Sequence, residues 1–84
     1  MLFAVVREIE GQHRDCWIAN TENAARVYFE TAKYVCDNEP IKPPKGDGAI
    51  VTNCWMYSCE TDDPVVAERL VLSGWAPMLE AYAS

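Results

Sequence analysis

With 84 residues the chain has room for one small domain, residues 1–84, and a thin core, because a chain this short buries only about 60 to 65% of the surface its unfolded form exposes. Half the residues are hydrophobic and 24% are charged, a balance that excludes a disordered tail. Thirteen acids against seven bases leave a formal net charge of -6, which argues against direct nucleic-acid binding, since duplex affinity rests on Lys and Arg neutralising phosphates, and favours a protein partner with a basic surface.

The chain opens with LFAVVREIE, rich in β-branched and aromatic residues, which predicts a strand leaving the core near Arg7. GQHRD supplies a turn and CWIA a short return strand, so residues 2–19 read as a hairpin with Gly11 easing the reversal. LFAVV is too short for a signal-peptide apolar region, and no run approaches the ~20 apolar residues that span a bilayer. A cytoplasmic protein with no membrane partner is therefore expected, in surroundings where four cysteines need not pair.

Asn20 or Thr21 can cap a helix over NTENAARVYFETAKYVCDNEP, and Pro40 bars its continuation. Ala25, Tyr28, Phe29, Ala32, Val35 and Cys36 share one face, while Glu22, Arg26, Glu30, Lys33 and Asp37 form a charged ladder on the other. NEPIKPPKGDG, with its prolines, reads as a crossover loop.

AIVTNCWMYSCE, residues 49–60, is the longest strand expected, and its alternation separates Trp55, Tyr57 and Cys59 from Ile50, Cys54 and Met56. Trp55 and Tyr57 carry the greater apolar mass and are expected to meet the helices. That leaves Cys54 and Met56 on an open face, as a contact for a partner or a second copy. Asp63 caps a second helix with Pro64 at its first position; Val66, Ala67, Leu70 and Val71 form its apolar side, extended by Trp75 and Met78. A kink near Gly74–Pro77 and a short final helix to Tyr82 are expected.

The element order ββαβα gives an α+β fold. The sheet is expected to be three-stranded and antiparallel in the order 2-1-3, with both helices on one face.

Chemistry is sparse. Cys54 and Cys59 lie five residues apart, about 16 Å in an extended strand and beyond disulfide reach, and the cysteines lack the close-set pairs of a zinc knuckle. His13, the sole imidazole, falls in a polar turn, and Cys36 at a helix C-terminus faces the dipole end that opposes a thiolate. No phosphate-cradling or dinucleotide loop is present, so no catalytic residue, metal or cofactor is expected, and the chain does not read as an enzyme. The candidate partner-binding residues are the acids Glu8, Glu10, Glu60, Asp62 and Asp63 with the half-apolar pair Cys54 and Met56.

The hairpin LFAVVREIEGQHRDCWIA, the helix NAARVYFETAKY and the aromatic strand CWMYSC together resemble the small acidic inhibitors of phages and mobile elements, of the anti-CRISPR kind. The likeness lies in architecture and character and carries over no functional residue. It implies a protein that acts in a host cytoplasm by blocking a basic, nucleic-acid-binding groove or an assembly step of a CRISPR complex. The alternatives are a structural or regulatory homodimer, antitoxin-like or an assembly subunit, and, third, a cysteine metal-binding domain.

Overall fold

The computed structural model describes residues 1–83. Its elements are β1 (Leu2–Ile9), β2 (His13–Ala19), α1 (Glu22–Asp37), β3 (Val51–Cys59), α2 (Pro64–Leu72) and β4 (Met78–Ala83). The α+β class and the antiparallel pairing stand, but the sheet has four strands, in the order β2-β1-β3-β4. The expected final helix is instead β4. Six residues after Pro77 are too few to hold a helix alone, whereas the free edge of β3 offers them a ladder.

The hairpin turns at Glu10 and Gly11, both at positive φ, with the Gln12 amide donating to Ile9 O. That turn sets the register Arg7 opposite Asp15 and Glu8 opposite Arg14. Thr21 caps α1 by accepting from the Ala24 amide, and Asp63 caps α2 by accepting from Val65.

The two helices lie on opposite faces of the sheet, not on one. Ala25, Phe29 and Ala32 of α1 bury Val5, Val51, Cys54 and Met56, while Ala67 and Val71 of α2 bury Leu2, Ala4, Val6 and Cys59. The cause is visible in β1, where both alternating sets, Leu2/Ala4/Val6 and Phe3/Val5, are apolar, so each face needs a cover. An irregularity in the β1–β3 register at Glu8/Ile9 puts Val51 on the same side as Cys54 and Met56, a shift that strict alternation misses.

The charged side of α1 also has a use. Arg26 binds Glu80 of β4 at 2.6 Å, Lys33 approaches the same carboxylate at 3.9 Å, and the Tyr82 hydroxyl donates to Asp37. These polar contacts fasten the last strand to the first helix.

Candidate functional site

Cys54 and Met56, expected on an open face, are wholly buried under α1 and offer nothing to a partner. Trp55 and Tyr57 turn to the α2 side, where they are half-buried. Burial went to the smaller side chains because α1, the longer helix, took the face with Val5 and Met56. The homodimer contact expected there is therefore lost.

The five acids do not form one patch. Glu8 lies near the Ile9 end of β1, Glu10 lies in the turn beyond it, and Glu60, Asp62 and Asp63 follow β3 at the opposite end, about 23 Å along the strands. Glu8 is already engaged, accepting from Asn53 Nδ2 at 2.6 Å and Thr52 Oγ1 at 3.2 Å, with Arg14 nearby at 3.7 Å. Glu60, Asp62 and Asp63 are exposed; the N-terminal ammonium binds Asp62 at 2.6 Å and holds its carboxyl below the usual range.

Beyond that second acidic group, α2 and the start of β4 expose several large apolar side chains. Val65 and Leu72, seven residues apart on the outer side of α2, line a shallow depression of about 590 Å³ with Glu68, Arg69 and Ser73. The helix ends when the Ser73 amide donates to Arg69 O and the amides of Trp75 and Ala76 both donate to Leu70 O. This hook throws Trp75 outward, 80% exposed, instead of continuing the apolar side of the helix. Beneath it a second hollow of about 380 Å³ runs between Glu60, Leu70 and Pro77. Met78 and Leu79 then begin β4, both exposed, on an edge strand with neither Lys nor Pro to guard it.

A different site lies under the loop of residues 38–50. Arg7, expected where the strand leaves the core, is only 6% exposed. Its guanidinium donates to Asp15 through Nε and Nη2 and to Asp47 at 2.8 Å, and it stacks on Trp17 with 4.3 Å to the ring centroid. Burial works against the charge, but the hydrogen bonds to Asp15 and Asp47 outweigh it and keep Arg7 protonated; the same bond draws the Asp47 carboxyl below its ordinary range. Arg7, Trp17, Thr31, Val35, Ile41 and Gly46 frame a hollow of about 210 Å³. With both carboxylates already satisfying the guanidinium, this arrangement holds the loop and leaves no group free for chemistry.

His13 is exposed at the start of β2. Cys54 and Cys59 point to opposite faces, as the extended segment requires, and all four cysteines are free. Among the described residues no three His, Cys, Asp or Glu side chains converge as metal ligands would, and no helix is long and apolar enough to cross a membrane. No protein-family model, curated protein or solved structure matches this chain.

Proposed function

We propose that the chain is a non-enzymatic protein-binding module whose contact surface is the outer side of α2 with Trp75 and the start of β4. The observation that carries this reading is Trp75, 80% exposed at the hook between α2 and β4, with Leu72 shortly before it and Met78 and Leu79 shortly after it in the chain also exposed. A large aromatic side chain held out by backbone hydrogen bonds loses little freedom on binding and buries much apolar surface, the property of an interface anchor. Glu60 shares a hollow with Trp75, Glu68 lies beside Arg69 on the outer side of α2, and Asp63 and the ammonium-paired Asp62 precede that helix, so the partner that fits presents an apolar pocket with a basic rim. The positively charged nucleic-acid channel of a CRISPR interference complex supplies such a basic surface, and an inhibitor of the anti-CRISPR kind is the specific form proposed, with the host cytoplasm as its place of action.

The test titrates the purified chain against purified CRISPR interference complexes and measures target cleavage or binding. Inhibition that falls at least tenfold in Trp75→Ala, with thermal stability unchanged, supports the reading. Absence of binding in every system tried removes the CRISPR assignment, and inhibition indifferent to Trp75→Ala and Glu68→Lys removes the surface. Light scattering addresses the homodimer: the net charge of -6 opposes self-association, so a monomer is expected, and a tight dimer would reassign the open β4 edge to a second copy.

A further inference from the structure

Cys36 and Cys54 come from two elements that pack face to face. Cys36 lies in the last turn of α1, on the stripe that begins with Ala25, Phe29 and Ala32, and Cys54 lies near the middle of β3. Cys54 is wholly buried, with Arg7 of β1 opposite it on one side and Tyr82 of β4 on the other. Ala25 and Ala32 present only methyl groups, which lets the helix ride close to the sheet. Cys36 is one of the side chains packed against the buried cluster that contains Cys54, and the two thiols are near enough for each to act on the other's ionisation.

The other two cysteines provide the contrast. Cys16 stands opposite Val6 and Cys59 opposite Leu2, on different sides of β1, which places their Cα atoms about 16 Å apart, more than twice the reach of a disulfide.

We infer that Cys36 and Cys54 form a thiol–disulfide pair, closed within the folded chain by a low-molecular-weight disulfide such as oxidised glutathione. The Cys36 thiolate, the more exposed of the two, attacks one sulfur of the oxidant, makes a mixed disulfide and releases one glutathione. The Cys54 thiolate then attacks Cys36 Sγ and expels the second. Two protein thiols are oxidised to one disulfide, one oxidant is reduced to two thiols, and the protons lost by the cysteines pass to the two leaving glutathiones. The bond closes a loop over residues 37–53 and fastens the end of α1 to the centre of the sheet. Burial pushes both thiols up, Cys54 to about 12, so the pair exchanges slowly at neutral pH and responds to a sustained oxidising environment rather than to a brief pulse.

The experiment incubates the full chain with oxidised glutathione, alkylates the remaining thiols and maps the peptides without reduction. The expected result is a monomer whose free thiols fall from four to two, a single Cys36–Cys54 linkage and a higher thermal midpoint than the reduced chain. Cys36→Ala, which keeps a small apolar side chain beside Ala32, should fold and form no bond. Linkage through Cys16 or Cys59, a mixture of pairings, an intermolecular bond, a stable glutathione adduct on Cys36, or four unreacted thiols after prolonged exposure would each overturn the inference.

Discussion

On one face of the sheet a helix of sixteen residues covers Val5, Cys54 and Met56 completely, whereas on the other a helix of nine reaches Leu2, Ala4, Val6 and Cys59 and leaves Trp55 and Tyr57 half-buried. The α1 side is also tied by Arg26, Lys33 and Asp37 to β4 and sealed at one end by the loop on Arg7. The α2 side has few such ties, and its helix shows Val65 and Leu72 to solvent. Both sides bury their central residues, Ala4, Cys59 and Ala67 as fully as Val5 and Met56, but the shorter helix covers less of its face. The thinner side is the one left with surface exposed.

The comparison breaks most directly through its two central side chains. Phe29→Ala empties the largest wholly buried position and should cost about 3 to 5 kcal/mol, against about 2 kcal/mol for Val71→Ala on the α2 side. With total stability on the order of 4 to 13 kcal/mol for a chain of this size, the first variant should lose a far larger share of it than the second. Equal shifts of the urea midpoint would show that the two faces share the stability.

A smaller loss is expected at the edge of the α1 side. A Cβ on Gly46 would stand 2.2 Å from Ile41 O, so Gly46→Ala must displace the loop. The displacement should cost about 1 to 3 kcal/mol, as overpacking does, and should draw Asp47 off Arg7. Faster amide exchange at Gly48, whose N–H donates to Ile41 O, checks it. An unchanged rate would mean that the loop is not closely fitted.

The mildest perturbation is acid. The Asp47 carboxyl is depressed in the folded protein, so its bond to Arg7 contributes stability above the ordinary carboxylate range that disappears as pH falls through the lowered value. Asp47 is more than half exposed, so solvent screening keeps the effect small. The loop amides should lose protection below about pH 4 while the amides of β1 and β3 keep theirs; simultaneous loss in both would show global unfolding instead.

Much of this was readable in advance. Both helix caps, the buried stripe Ala25, Phe29 and Ala32, the loop after Pro40 and the opposed cysteines of β3 follow from local chemistry and side-chain period. The ion pairs of the hairpin were also within reach, since a turn at Glu10 and Gly11 sets Arg7 across from Asp15. Facing was harder. Which side of β3 is buried depends on where a distant helix lands and on an irregular register near Val51, neither of which leaves a mark within the strand itself. MLEAYA carries no decisive period, and only the vacant edge of β3 makes it a strand. The exposure of Trp75 depends in turn on how the chain leaves α2, so an apolar residue that reads as part of the helix's apolar side stands out in solvent.

The pairing of Leu2 with Cys59 carries a consequence for biosynthesis. β1 is a central strand of the sheet, and its inner partner β3 follows it only after a helix and a long loop. While β3 and α2 are still to be made, α1 can cover Val5 but Leu2, Ala4 and Val6 stay bare, and that intermediate is the one expected to call on chaperones.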